Sequence, residues 1–295
     1  MNIAFIGLGN MGGPMASNIL RSRGNLKVFD TDEKKLQRLA SLGAYAAENI
    51  YDAVHDADVV FTSLPTPKVI QEVAVEANGI INSMKSGGTL IELSTNNLEC
   101  ERILREAADS NGINFLDAPV TGGIEGAEDG SLIVMVGGKG GVFEAHKPLL
   151  DIIGSDVKHV GPSGAGYVAK IAQVMLCYLH SIALSEAIML GAKGGVNPDS
   201  MLDIIQGSTG KSYVADRYGP TILDGTYDPG FTLGLAHKDM ALALELASSV
   251  GANLPMCQDV EGTYREAVQK FGYEQNHLSV VKLLEEANEL QLRSN

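Results

Sequence analysis

Basic residues are scarce in this chain. Lys and Arg total 22 against 36 Asp and Glu, a formal net charge of -14 over 295 residues. Such a surface repels nucleic acid and anionic membrane, so neither is expected as a partner. An anionic ligand must then be held by local backbone amides and one or two placed cations. Cysteine is sparser still. Cys100, Cys177 and Cys257 are far apart and form no CxxC pair. This argues against a disulfide framework or a zinc site, and it fits a reducing cytoplasm. His55, His146, His159, His180 and His277 show no metal-ligand spacing, so no metal is expected. The most apolar stretch, 171–192, carries Gln173, His180, Ser185 and Glu186. It reads as a buried core helix rather than a membrane span. The N-terminal MNIAFIGLGNMGG has no basic segment ahead of its apolar run and reads as a strand, not a signal peptide. Internal repeats and low-complexity segments are also lacking, and only the final LQLRSN reads as a frayed tail.

What remains is ordinary globular composition, 45% hydrophobic and 20% charged, in a chain long enough for two domains. Strands are expected at 2–6, 26–29, 57–62, 89–93, 114–116 and 131–136. Helices are expected at 13–22, 32–42, 97–109 and 142–153. Alternation of apolar strands with helices predicts an α/β, doubly wound, mostly parallel sheet covered on both faces. After Gly164 the pattern changes to helical periodicity at 165–192, 198–206, 235–250 and 254–271. The expected domains are therefore a Rossmann domain at 1–163 and an all-helical domain at 164–295, with a boundary near Ser163.

The first strand runs into Gly7-Leu8-Gly9-Asn10-Met11-Gly12, a GxGxxG pattern followed by a helix. Gly7 allows the tight turn, Gly9 lets the backbone approach a pyrophosphate, and Gly12 allows close helix–strand packing. Amides at the helix start, including those of Asn10 and Met11, face the phosphates. Asp30 ends the second strand, where the fingerprint places an acid for the ribose hydroxyls. Its charge opposes a 2′-phosphate, and Thr31-Asp32-Glu33 adds no arginine. NAD is favoured and NADP stays open, with Lys34 and Lys35 as the cations that would serve it. Further cofactor contacts are expected from Leu64 and Pro65 after the third strand and Thr95 after the fourth.

Thr121, Gly122 and Gly123 combine a hydroxyl with unhindered amides, which suits a carboxylate. Lys170 is a lone fixed charge in a strongly apolar helical segment. Either its stem snorkels to solvent, or it faces a cleft where a lysine exchanges protons near neutral pH. His237 and Lys238 open another helix and read equally well as site residues or as a charged helix start.

Four segments, in order, resemble the β-hydroxyacid dehydrogenase family, which includes 3-hydroxyisobutyrate dehydrogenase and tartronate semialdehyde reductase. They are FIGLGNMGGPMASNI, DAPVTGGIEGAEDGSL, GPSGAGYVAKIAQ and GFTLGLAHKD. The resemblance implies a Rossmann domain, a long inter-domain helix and an all-helical domain, assembled as a homodimer or homotetramer. It implies Lys170 as catalytic acid/base and Thr121, Gly122 and Gly123 as the substrate loop, with Thr121 replacing the commoner serine. It further implies Thr95 as a cofactor contact, and Phe231 and Lys238 near the nicotinamide. The family usually has asparagine one turn after the lysine. Here Val174 holds that place, with Gln173 beside it as a partial substitute toward the substrate. The implied reaction is hydride transfer between NAD and a small 3-hydroxyisobutyrate-like acid. An NADPH-dependent semialdehyde reductase is the first alternative and a non-catalytic dinucleotide sensor the remote one.

Overall fold

The computed structural model describes residues 1–294, which form two compact units divided after Lys170. The expected boundary at Ser163 lies just before a 29-residue helix, Ala165–Lys193, that begins in the first unit and continues in the second.

The first unit is built on one sheet. Its strands are β1 (Ile3–Ile6), β2 (Lys27–Phe29), β3 (Tyr45–Ala46), β4 (Val59–Thr62), β5 (Thr89–Glu92), β6 (Asn114–Asp117), β7 (Val120–Thr121), β8 (Leu132–Gly138) and β9 (Gly154–Gly161). The order is β3-β2-β1-β4-β5-β6-β8-β7, with β9 also paired to β8. All pairs from β3 to β6 are parallel, and β8 runs antiparallel to β6 and β7. All four residues of β1 are buried, and side chains alternate between two cores. Ile3 and Phe5 join one core, while Ala4 and Ile6 join the other. That two-sided burial is why these strands read as continuous apolar runs rather than alternating ones. Helices α1 (Gly12–Arg23), α2 (Glu33–Ser41), α3 (Ile50–Val54), α4 (Pro67–Val75), α5 (Ile80–Ser83), α6 (Leu98–Ser110), α7 (Gly123–Asp129) and α8 (Gly140–Leu150) connect the strands.

The chain leaves β1 toward β2 and β3, then returns to β4, β5 and β6 on the other side. The switch point is thus β1/β4, where open α/β sheets bind ligands outside the carboxyl ends of their strands.

Three strands escaped the sequence reading. β3 and β7 have only two residues each, and β9 (GSDVKHVG) is polar and largely exposed, so none shows an apolar signature. The expected helix at 142–153 stops at Leu150, because 154–161 is recruited as a strand beside β8. α4 was missed despite a legible start: Thr66 Oγ1 accepts the Val69 amide, and Pro67 occupies the first turn.

The second unit is helical. α9 (Ala165–Lys193) leads into it, followed by α10 (Pro198–Gln206), α11 (Tyr213–Arg217), α12 (Gly219–Leu223), α13 (Leu233–Val250), α14 (Pro255–Phe271), a 3-10 turn at His277–Val280, and α15 (Val281–Ala287). One core, including Tyr178, Ile188, Leu233, Met240 and Tyr264, holds them together.

Two expectations are corrected here. α9 is not a wholly buried core helix. It is the one helix among the described residues long and apolar enough to cross a membrane, and only 33% of that window is buried in the chain. Leu176 and Leu190 stand exposed on it. Nor does the C-terminus fray. Leu292 is buried, and its amide donates to Glu285 Oε1 at 2.9 Å. Arg293 donates to Glu285 Oε1 at 2.8 Å and to the Tyr227 hydroxyl at 2.6 Å, and that hydroxyl donates to Glu285 Oε2 at 2.7 Å. The buried Glu285 carboxylate needs these donors, and a short polar tail gives no sequence signal of so distant a demand. Asn295 lies outside the described residues.

Candidate active site

The glycine loop lies at the carboxyl end of β1. Gly7 has φ +92, a conformation that favours glycine, and a Cβ there would run into the Ser63 carbonyl oxygen. A Cβ on Gly12 would run into the Gly7 carbonyl oxygen, so this glycine lets α1 pack on the turn. A Cβ on Gly9 would meet nothing within 4 Å. The loop is therefore tight on the protein side at Gly7 and Gly12 and open at Gly9. Met11 occupies the N-cap position of α1, with no side-chain cap. Open backbone at Gly9 and a helix start uncapped by side chains fit a pyrophosphate.

Asp30 does more than the sequence reading assigned. Its Oδ2 accepts the Leu8 amide at 2.6 Å and its Oδ1 accepts the Asp32 amide at 2.7 Å. It thus clamps the glycine turn itself. A carboxylate has about four acceptor sites, so lone pairs remain for ribose hydroxyls. Lys35 pairs with Asp32 at 3.5 Å on the exposed start of α2.

The loops after β4 and β5 are tied together. The Leu64 amide donates to Ser94 Oγ at 2.8 Å, and the Ser63 amide reaches back to the Ile6 carbonyl at 3.0 Å. Leu64, Thr95 and the more exposed Pro65 follow strands parallel to β1, so they share its carboxyl edge. Asn96 is fully buried beside Thr95, and its Nδ2 has no hydrogen-bond partner in the chain. Thr121 ends β7. β6 and β7 both run along β8, through Asp117↔Gly137 and Thr121↔Ile133, so the Thr121 loop projects past the end of β6. Gly122 (φ +135) and Gly123 (φ +71) turn the chain into α7 where side-chain-bearing residues would be strained.

Two buried carboxyls dock the start of α9 on the same edge. Asp117, at the end of β6, accepts the Gly164 amide on Oδ1 at 2.8 Å and the Tyr167 amide on Oδ2 at 3.2 Å. It caps the helix from a strand. Burial raises its pKa to about 7, against the lowering pull of those two amides. Glu92, at the end of β5, accepts the Tyr167 phenol at 2.6 Å, and burial pushes its carboxyl up too. Gly166 leaves no room for a Cβ against the Asp117 carbonyl and the Met135 carbonyl. Lys170, half-buried, follows Gly166 by one helical turn on the same face. Lys170 thus stands one turn beyond the segment of α9 that docks on the ends of β5 and β6. Sequence reasoning passed over Glu92 and Tyr167. The one signal was an acid inside the apolar run TLIEL.

The remaining expected residues belong to the second unit. Val174 is buried in its helical core, whereas Gln173 is solvent-exposed. Phe231 packs edge-on to His277 with ring centroids 5.8 Å apart. Lys238 pairs with the buried Asp239 at 3.2 Å, and Asp239 Oδ2 accepts the Tyr178 phenol at 2.9 Å. His237 Nε2 lies 2.9 Å from Oε1 of the buried Glu261, whose Oε2 pairs with Arg265 at 3.2 Å. Among the described residues no group of His, Cys, Asp and Glu is arranged to hold a metal.

A mostly parallel Rossmann sheet with a glycine loop at the carboxyl end of its first strand, matched by an NAD-binding family model, defines a nicotinamide-dependent oxidoreductase. Residues 2–161 match the NAD-binding domain of 6-phosphogluconate dehydrogenase, and residues 164–284 match the NAD-binding domain of NADP-dependent 3-hydroxyisobutyrate dehydrogenase. The NAD-dependent L-serine dehydrogenase of Pseudomonas aeruginosa is 35% identical, over 96% of this chain and 97% of its own. The 2-hydroxy-3-oxopropionate reductase of Escherichia coli is 33% identical, over 97% of each. A structure of Mycobacterium tuberculosis 3-hydroxyisobutyrate dehydrogenase with L-serine superposes with a TM-score of 0.86 at 29% identity, covering 96% of this chain and 98% of that one. The chain belongs to the β-hydroxyacid dehydrogenase family. Its cofactor is NAD(P).

Proposed function

We propose that this chain oxidises a small β-hydroxy acid with NAD, or reduces the matching semialdehyde, with Lys170 as the proton-transfer group. The observation that supports this is the docking of the α9 start on the ends of β5 and β6, one turn before Lys170, on the sheet whose β1 edge carries the open glycine loop. NAD, when bound, supplies the hydride acceptor. The Thr121 hydroxyl and the amides of Gly122 and Gly123 hold the substrate carboxylate. Lys170 Nζ takes the hydroxyl proton as the hydride leaves the same carbon, and in reverse it returns that proton to the new alkoxide. The relatives named for serine and 3-hydroxyisobutyrate both act on short acids with a β-hydroxyl, which supports that substrate class. A screen of NAD reduction against 3-hydroxyisobutyrate, serine, glycerate, threonate and the hydroxybutyrates tests it. Hydride exchange with none of them would remove the proposal.

An NADPH-dependent semialdehyde reductase is the second reading, favoured by the similarity to the E. coli reductase. Asp30 decides between them. Asp30→Asn keeps an acceptor for the Leu8 amide but removes the negative charge. The ratio of kcat/KM for NAD over NADP should fall about 10- to 100-fold, equivalent to about 1.4–2.8 kcal/mol of relieved like-charge repulsion against the 2′-phosphate. An unchanged ratio would mean that Asp30 shapes the loop without selecting the cofactor. The same reading makes the uncovered apolar face of α9, with Leu176 and Leu190, a contact between copies in a homodimer or homotetramer. Light scattering that returned a monomer would contradict it.

A further inference from the structure

Buried polar groups meet where β5 ends, and they form one chain. The Leu64 amide donates to Ser94 Oγ at 2.8 Å. The Ser94 amide donates to Glu92 Oε1 at 3.0 Å, and Thr62 Oγ1 approaches the same oxygen at 3.4 Å. Glu92 Oε2 accepts the Tyr167 phenol at 2.6 Å, across 75 residues of sequence. Both ends of that last bond are nearly inaccessible, Glu92 at 1% and Tyr167 at 0%. Burying a carboxyl and a phenol together is costly, and an apolar pair would fill the volume more cheaply. The bond therefore has to achieve something that packing alone does not.

What it achieves is register. Ser94 opens the loop that carries Thr95, and Tyr167 precedes Lys170 by three residues, about 4.5 Å of helix rise. Asp117 grips the backbone of the same helical turn through the Gly164 and Tyr167 amides. The phenol adds a second anchor, from a side chain to the end of β5. We propose that Glu92 and Tyr167 are positioning residues for hydride transfer: their hydrogen bond fixes the first turn of α9, and with it Lys170, against the loops that follow β4 and β5. This rests on the reading of Lys170 as the proton-transfer group.

The test uses the full chain with NAD and the best acid from the substrate screen. Tyr167→Phe and Glu92→Ala should lower kcat about 10- to 100-fold, the scale of a misplacement near 1 Å. For Tyr167→Phe, KM for NAD should barely move, because the glycine loop is untouched and Glu92 keeps its bond to the Ser94 amide. Glu92→Gln should recover most of kcat, since its Nε2–H donates to the Tyr167 oxygen with the roles exchanged. Without substrate, Tyr167→Phe should speed deuterium exchange of amides in the first turn of α9. Faster exchange with wild-type kcat would show a structural bond only and overturn the inference. Equal losses for Glu92→Gln and Glu92→Ala would overturn the hydrogen-bond basis. If Tyr167→Phe does not fold, Glu92→Asp, shorter by one methylene, takes its place under the same criteria. Lys170→Ala is run beside them. If it keeps normal turnover, the proton-transfer reading falls and this inference with it. If it is inactive while Tyr167→Phe is fully active, only this inference falls.

Discussion

Lys170→Ala is expected to cut kcat by about 10²–10⁴-fold, the usual contribution of a positioned acid or base. NAD affinity should stay near wild type, because Lys170 lies outside the glycine loop, Asp30 and the loops after β4 and β5 that are expected to meet the dinucleotide. The fold should also survive. Lys170 is half-buried at a helix position, and alanine is the best helix former. Lys170→Arg separates charge from proton transfer. Arginine keeps the cation and is protonated throughout the accessible range, so it cannot accept the hydroxyl proton. If the residue acts only by holding an anionic group, Lys170→Arg should restore much of the activity. If it moves the proton, the arginine variant should be nearly as slow as the alanine one. Isothermal titration with NAD and steady-state kinetics on the same preparations make the comparison. Near-normal turnover in Lys170→Ala would end the assignment.

The cofactor half of this site was legible because its signals are local. A buried strand, three glycines and a helix start occupy consecutive residues from Ile3, and Asp30 directly follows the very next strand. The mostly parallel sheet follows from the same alternation, although β3, β7 and β9 did not, since two-residue strands and a polar exposed strand carry no apolar pattern. The lysine half was legible only as an oddity, a charge in an apolar helix. What gives that charge a place is long-range. Tyr167 finds Glu92 75 positions away, and the Tyr167 amide finds Asp117 50 positions away. Neither pairing has a period or spacing for a sequence to display. The C-terminal tail shows the same limit: Arg293 looks solvated until Glu285 and Tyr227 are seen to need it. Val174 is the opposite case. It is apolar in sequence and lies in an apolar core, while Gln173, expected to reach toward substrate, is exposed.

The glycine loop yields two opposite outcomes from one methyl group. Gly12→Ala places a Cβ against the Gly7 carbonyl, a backbone atom that cannot rotate away. The helix must shift from the turn, and overpacking of this kind costs about 1–3 kcal/mol or more. Each kcal/mol lowers the melting temperature by about 2–4 °C in a chain of this class, so the variant should melt clearly earlier even without ligand. Gly9→Ala places its Cβ where nothing in the protein lies within 4 Å. Its ligand-free melting temperature should match wild type. The methyl group instead occupies the approach of the pyrophosphate to the backbone, and losing one amide–phosphate bond, about 1.5–3 kcal/mol, weakens NAD about 10- to 100-fold. Thermal shift with and without NAD reads both effects in one plate: Gly12→Ala loses stability in either condition, and Gly9→Ala loses only the increment that NAD adds. A Gly9→Ala protein that NAD stabilises as fully as wild type would place the pyrophosphate elsewhere. The open backbone at Gly9 would then have no ligand to explain it, and the assignment of the β1 edge to the dinucleotide would have to be abandoned with it.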